Sequence, residues 1–428
     1  MFSSTIRKSI LSFFVVLTGL SLLFGKAGSP INQDESKISP FELPDIYVSP
    51  ITKTRADNAL QWLDKVRPDV SKIFEEQIYG KRPPRPQLVK SEIVESSDDA
   101  LGGIAKRRQV KITVGDANGM HTFTMLAYFP KKAKKPVPTF LCLNFSGNHV
   151  ASTEQEVIVP DCWVRNTTRY GMNITNNKTT AKDRGANPFD FKEIIARGYG
   201  VATIFYCEIY GDEAGEIHRK NSIYKIFKNP EQFGGAIAAW SWGLSRGLDA
   251  LETLPECDSK KVIVVGHSRL GKTSLLAGAY DKRFAMVISN NSGCMGAAIS
   301  RRKFGEHVEF ITRVFPHWFL PKLRDYADKE EQMPIDQHQL LAMIAPRPLY
   351  VTSATEDLWA DPRGELLAVV EASKVYALFG GKDFPTMEDF KAEEPFQGEV
   401  GYHLRKGKHA LKLYDWMRFC DFADKHFK

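Results

Sequence analysis

The sequence contains no Cys-x-x-Cys pair and no close cluster of histidines and cysteines, so nothing in it signals a structural zinc site. Its six cysteines, Cys142, Cys162, Cys207, Cys257, Cys294 and Cys420, are spread widely. Cys142 and Cys207 lie in apolar, strand-like runs and read as buried thiols rather than bridges. Internal repeats and disordered tracts are also missing, and 428 residues at 43% hydrophobic can bury one large core or two ordinary ones. Basic residues do not recur with aromatics along one face, which argues against a nucleic-acid groove. The formal charge of +7 includes the basic N-terminal end and the cluster KKAKK at 131–135, read as a solvated turn. A mildly basic balance of this kind can help hold an acidic polysaccharide.

Only one long apolar run is present. It spans residues 10–24, follows Arg7 and Lys8, and gives way to small residues. At about 15 residues it is short for a membrane span. It reads as a secretory signal within residues 1–29, without a cysteine for lipid attachment; an uncleaved anchor is the alternative, since no clean A-x-A site follows. Export to the periplasm or outside a bacterial cell is expected, with no stable membrane insertion after signal cleavage.

The chain is organised around KVIVVGHSRLGKTSLLAGA at 261–279. A mostly β-branched run leads into Gly266, His267 and Ser268, and a helix-suited run follows. This is a strand, a tight turn and a helix, the setting that raises a serine hydroxyl at the carboxyl end of a sheet. Leu270 stands where the second glycine of Gly-x-Ser-x-Gly would be, and Gly271 comes one residue late. A structural turn or a phosphate loop is the alternative, but Gly271, Lys272 and Thr273 lack the glycine spacing upstream that a phosphate loop needs. Ser268 is the expected nucleophile.

In chain order, residues 30–55 read as a linker or wrapped N-terminal arm, and residues 56–428 as a single catalytic domain. Residues 56–76 have helical spacing with a break near Pro68. Residues 107–115 and 121–129 alternate as antiparallel strands. Residues 139–145 form a buried strand ending in SGNH, 151–187 a long polar excursion, 189–197 a helix and 201–206 a buried strand. The stretch CEIYGDE that follows puts Glu208, Asp212 and Glu213 on the nucleophile's rim. Residues 233–254 form a long helix whose Trp240 and Trp242 read as core or lid residues. After the elbow, 284–289 and 345–354 read as strands, 334–344 and 362–372 as helices, 374–379 as the final central strand, 380–408 as a loop and 411–426 as the last helix. The expected fold is a three-layer α/β-hydrolase sandwich, with a central, mostly parallel sheet and antiparallel N-terminal strands.

A serine needs a base, and the base a carboxylate that fixes its tautomer. In the order serine, acid, histidine, Asp357 follows a late strand and His409 precedes the last helix. Glu356 and Asp361 compete for the acid role, His403 for the base. The SGNH loop and the N–H of Arg269 are placed to form an oxyanion hole. Lys272, four residues after Ser268 on the same helical face, can reach a substrate hydroxyl or carboxylate. Trp359 is either a sugar-facing wall or a loop anchor.

The runs LNFSGNH, GHSRLGK, NNSGCMGAA with RRKFGE, EDLWADP and GYHLRKGKHAL together resemble the bacterial glucuronoyl esterases of carbohydrate esterase family 15. The resemblance implies cleavage of esters of glucuronic or 4-O-methyl-glucuronic acid, including glucuronoxylan–lignin linkages, without a metal; no cofactor and a monomer are expected. By position it makes Ser268 the nucleophile, His409 the base and Arg269 an oxyanion-assisting residue; Lys272 and Glu306 hold sugar hydroxyls, and Trp359 lies beside the uronate. Asn291 occupies the position of the fungal acid, so the resemblance passes that role to Asp357. His267 replaces a disulfide-linked fungal cysteine. The competing readings are an exported acetyl xylan esterase and a noncatalytic carbohydrate-binding protein on a hydrolase fold.

Overall fold

In the computed structural model of the chain, residues 28–428 are described. All but the last two of the signal's residues therefore lie outside the described residues. Ten strands form one sheet: β1 (Leu88–Asp99), β2 (Ala105–Asp116), β3 (Gly119–Pro130), β4 (Val137–Asn144), β5 (Gly200–Phe205), β6 (Cys257–His267), β7 (Met286–Asn290), β8 (Leu349–Ala354), β9 (Phe396–Gln397) and β10 (Val400–Arg405). Their spatial order is β1-β2-β3-β5-β4-β6-β7-β8-β10-β9. The three N-terminal strands are antiparallel to one another and β3 to β5, whereas β5, β4, β6, β7, β8 and β10 run parallel. The sheet is thus mostly parallel through its centre, with antiparallel strands at its N-terminal side.

The helices that matter to the site and its support are α1 (Phe191–Ala196), α2 (Ala236–Leu251), α3 (Arg269–Tyr280), α4 (Val308–Val314), α5 (Gln337–Ala342), α6 (Pro362–Leu378) and α7 (Leu413–Phe427). They divide between two faces because side chains alternate across a strand. In β6, Val262 and Val264 belong to the same core as Leu248 of α2, Leu275 of α3 and Val369 of α6. Ile263 and Val265 belong instead to the core on the other face, with Ile194 of α1 and Trp416 and Phe419 of α7. Burial on both faces explains why β6 reads as an unbroken apolar run. Gly278 brings α3 tight against the sheet, since a Cβ there would lie 2.2 Å from Val287 Cγ2.

The expected strand at 374–379 is a correction: those residues finish α6, and Phe379 follows it. Val369, Ala372, Val375 and Tyr376 are buried at helical spacing, and no helix breaker stands before Gly380, whose φ is +88°. The last parallel strand is β10, within the stretch read as a loop. Its sequence VGYHLR hides the strand because His403 and Arg405 are buried there. Both are matched by Asp415, whose Oδ1 lies 2.8 Å from His403 Nε2 and whose Oδ2 accepts from Arg405 Nε at 3.1 Å. The expected break near Pro68 is also absent. Helical structure continues from Ala59–Gln61 through Phe74–Ile78, with a wider turn at Trp62–Val66 in which Arg67 N–H reaches back five residues to Trp62 O. That turn accommodates a residue without an N–H. Strand β1, not foreseen, is an edge strand with mostly exposed side chains.

Residues 30–55 lie along the body. Trp62 Nε1 donates to Ile46 O at 3.1 Å, and Gly305 N to Asn32 O at 2.7 Å. All six cysteines are free thiols. Among the described residues no helix is long and apolar enough to cross a membrane.

Candidate active site

Ser268 joins β6 to α3 with φ 59° and ψ −130°, a left-handed conformation that costs about 1–3 kcal/mol and persists only where its surroundings enforce it. They do so from both sides. Ser268 N–H donates to Asn290 O at 2.9 Å, and Ser268 O accepts from Gly271 N at 2.8 Å and Lys272 N at 3.2 Å. The return of the chain passes so close to Gly266 that a Cβ there would lie 1.9 Å from Leu270 O. A glycine is therefore needed at 266, while Gly271 sits 3.0 Å, by the same measure, from Ser292 Cβ. The late glycine serves the contact between α3 and the turn after β7.

His409 stands beside this elbow. Its ring lies 4.5 Å from that of His267, the residue before Ser268. His409 Nδ1 is 2.6 Å from Asp357 Oδ2. With the carboxylate accepting that proton, neutral His409 keeps Nε2 as the lone-pair nitrogen that a general base needs. Asp357 is buried, and its Oδ2 accepts a second bond from Asn291 Nδ2 at 2.8 Å. The rivals are engaged elsewhere: Asp361 binds Arg302 and caps α6, Glu356 is exposed, and His403 is locked between Tyr350 and Asp415. Burial, reinforced by the neighbouring His409, holds His267 well below the usual histidine range. Its Nδ1 donates to Asn290 Oδ1 at 2.6 Å.

Arg269, the first residue of α3, has its backbone N–H in the helical turn that lacks intrahelical acceptors. Its guanidinium is packed against the rings of Phe145 (5.8 Å), Phe315 (5.4 Å) and Trp318 (4.7 Å) and is bound to Asp212. Phe145 belongs to the loop after β4, which therefore lies against the elbow as an oxyanion loop must. Of the three rim carboxylates, Asp212 alone reaches the elbow. Its fully buried carboxylate also accepts from Tyr206 OH at 2.8 Å and Trp318 Nε1 at 2.7 Å, and contacts His317 Nε2 at 3.0 Å and Arg165. Burial would raise this carboxyl, but Arg269, His317 and Arg165 outweigh it and hold Asp212 well below the carboxylate range.

Lys272 and Glu306 meet as a buried pair, Nζ to Oε2 at 3.0 Å, with Nζ also donating to Ser292 O at 2.6 Å. Glu306 N–H donates to Trp359 O at 2.9 Å, and the half-buried Trp359 meets Phe310 of α4 edge to face at 4.8 Å. A further buried acid, Glu365 of α6, accepts from Ser292 N (2.7 Å), Gly293 N (3.0 Å) and Ser353 Oγ (2.6 Å), so it shapes the turn that carries Asn291. Burial pushes Glu365 up to about 8 against these hydrogen bonds, and the Asp357 charge adds to the rise. Glu365 and the partners of Asp212 are not evident in the sequence, where only the rim position of Asp212 gave a signal. Among the described residues, no group of three or more His, Cys, Asp or Glu is placed to hold a metal ion.

A family profile for fungal glucuronyl esterases matches residues 165–380. The carbohydrate esterase MZ0003, from an unknown prokaryotic organism, is 44% identical over 405 residues, covering 92% of this chain and 92% of its own. The chain belongs to carbohydrate esterase family 15. Two solved structures of that family agree with it closely. A promiscuous family 15 esterase from the marine bacterial metagenome superposes with a TM-score of 0.84 at 42% identity, covering 93% of this chain and 100% of its own. A glucuronoyl esterase from Solibacter usitatus gives 0.84 at 39% identity over 92% and 100%. This family 15 member is accordingly a serine-type ester hydrolase on an α/β-hydrolase sandwich.

Proposed function

We propose that the protein hydrolyses the C6 ester of glucuronic or 4-O-methyl-glucuronic acid through a Ser268–His409–Asp357 charge system. The observation that carries this reading is the 2.6 Å contact of His409 Nδ1 with Asp357 beside a strained Ser268. His409 Nε2 takes the Ser268 proton as Oγ attacks the ester carbonyl. Negative charge moves to the carbonyl oxygen, where the Arg269 N–H, the loop after β4 and the Arg269 guanidinium stabilise it. His409 then protonates the departing alcohol. Water, deprotonated by the same nitrogen, cleaves the acyl-enzyme and releases the uronate and Ser268.

The substrate assignment draws on Lys272, Glu306 and Trp359. Two of the three Nζ–H donors of Lys272 are used within the protein, leaving one for a sugar hydroxyl. Glucuronoyl and 4-O-methyl-glucuronoyl esterases among the relatives support the same acid. In this reading the enzyme acts as an exported monomer on glucuronoxylan, and lignin alcohols are among its leaving groups.

The test is paired hydrolysis of benzyl glucuronate and acetylated xylan by the signal-free protein, with Ser268→Ala alongside. Turnover of the uronate ester without acetyl release, abolished in a folded Ser268→Ala, is expected. A preference for acetyl groups overturns the substrate assignment, and activity retained by Ser268→Ala removes that residue from the mechanism.

A further inference from the structure

At the end of α3 opposite Ser268, about 18 Å along a helix of this length, lies a polar cavity of about 240 Å³. One face of α2 supplies Trp242, Ser245 and Arg246, and Arg82, Arg85, Tyr280 and the carboxylate of Asp281 complete most of the wall. Asp249, one turn further along α2, draws the arginines together. Its Oδ1 accepts from Arg85 Nη1 at 2.7 Å and Arg283 Nη1 at 2.6 Å, and its Oδ2 lies 2.9 Å from Arg246 Nε. Arg283 also pairs with Asp281 and Glu252. Four guanidinium groups (Arg82, Arg85, Arg246, Arg283) thus face three carboxylates (Asp249, Asp281, Glu252), which leaves one positive charge over. Glu75 faces both Arg82 and Lys81, and counting Glu75 and Lys81 together leaves the same surplus.

Arg85 and Arg283 are open to solvent, but Arg246 is not. Arg246 is 5% exposed and stacks on Trp242 at 5.1 Å. Its Nη1 and the Nε of Arg82 are buried without a hydrogen-bond acceptor among the described residues. Buried guanidinium N–H groups are otherwise paired, and here the buried unpartnered donors, which include Arg246 Nε, outnumber the one buried unpartnered acceptor beside them, Asp249 Oδ2. Burial, together with the charges of Arg85, Arg283 and Arg82, brings Arg246 down to about 10 despite Asp249.

We propose that this cavity binds a carboxylate ligand, of the kind a uronate residue carries, at a site separate from the catalytic serine. One surplus charge matches a monoanion, and a carboxylate matches the planar fork of a guanidinium. Tyr280, partly exposed at the wall, offers a flank for ring carbons. The choice of a uronate rests on the proposed function; the need for an oxyanion does not.

Calorimetric titration of the full chain with sodium glucuronate, sodium phosphate and xylose tests this, together with Arg246→Gln and the more exposed Arg82→Gln in case the first fails to fold. The expected result is a glucuronate-binding component that either variant weakens at least tenfold, no such component with xylose, and kcat/KM on methyl glucuronate within twofold of wild type. Identical glucuronate isotherms for wild type and a folded variant overturn the site. Phosphate binding more tightly than glucuronate overturns the carboxylate assignment. Failure of ester turnover in the wild type would count against the proposed function alone, because the binding readout does not depend on it.

Discussion

Asp212 offers the sharpest test of how the oxyanion side of the site is held. The substitution Asp212→Asn keeps shape and removes charge. In the native site the carboxylate faces Trp318 Nε1, Tyr206 OH, His317 Nε2, Arg269 and Arg165. An amide has one acceptor oxygen, so either orientation turns its NH2 toward groups that donate. The rings around Arg269 supply cation–π contact but no acceptor. Breaking a buried pair in this way costs roughly 3–5 kcal/mol of stability. Misplacing an oxyanion donor costs about 10²–10³ in kcat. We therefore expect a folded but less stable variant whose kcat on methyl glucuronate drops by about two orders of magnitude while KM changes little.

A purely structural role would produce the stability loss as well, so the deciding measurement is a double-mutant cycle with Arg269→Ala. If Asp212 acts by positioning Arg269, adding Asp212→Asn to Arg269→Ala lowers kcat little further. Additive losses, or a folded Asp212→Asn with nearly wild-type kcat, would refute the reasoning. The sign of the pH effect gives a second check. A carboxyl held below its unfolded value stabilises fully above about 3.9, the ordinary aspartate pKa, and loses that contribution only as pH falls toward the depressed folded value. The stability gap between wild type and Asp212→Asn should thus be flat from neutral pH down to mildly acid solution, as read by urea melts across pH.

Asp357→Asn should leave the fold intact and lower kcat by about 10³–10⁴, because an amide in place of the carboxylate no longer fixes the His409 tautomer; steady-state kinetics with circular dichroism check it. Glu365→Gln should flatten the pH dependence of stability. A carboxyl raised to about 8 in the fold keeps its stabilising effect below the unfolded glutamate value of 4.5 and loses it as pH rises to about 8. Melts should therefore show the variant gaining on the wild type across that window, and parallel curves would contradict the assignment. Gly266→Ala should abolish folded, active protein, because its Cβ would meet Leu270 O at 1.9 Å in backbone that cannot give way; soluble yield and turnover report it.

The elbow was legible because it is local: a β-branched run, a glycine that must be one, a serine and a helix follow one another in 19 residues of sequence. Asp357 and His409 were legible by their order relative to strands and helices, although they lie 52 residues apart. The partners of Asp212 were not. Arg165 comes from the long polar excursion, and His317 and Trp318 from an aromatic stretch without a clean period, 105 and 106 residues away. No local rule joins such segments. The same limit hid β10, whose buried His403 and Arg405 make sense only once Asp415 of α7 is folded against them. Residues 374–379 misled for the opposite reason, since a short apolar run fits a strand as well as the end of a helix.

The way charge is arranged around His409 explains how an asparagine can stand at position 291. Two ionised carboxylates sharing one imidazole would repel, and one would take up a proton. Here the site carries one charge at the base. Asn291, at φ 47° on the turn after β7, donates to Asp357 Oδ2 and so orients that carboxylate toward His409. Glu365 lies behind the same turn, and burial places its carboxyl on the neutral side at pH 7. It can therefore hold the Ser292 and Gly293 N–H groups without adding a second full charge near Asp357. In the proposed charge system the three groups divide the work: Glu365 fixes the turn, Asn291 orients Asp357, and Asp357 supplies the field that would stabilise an imidazolium at His409.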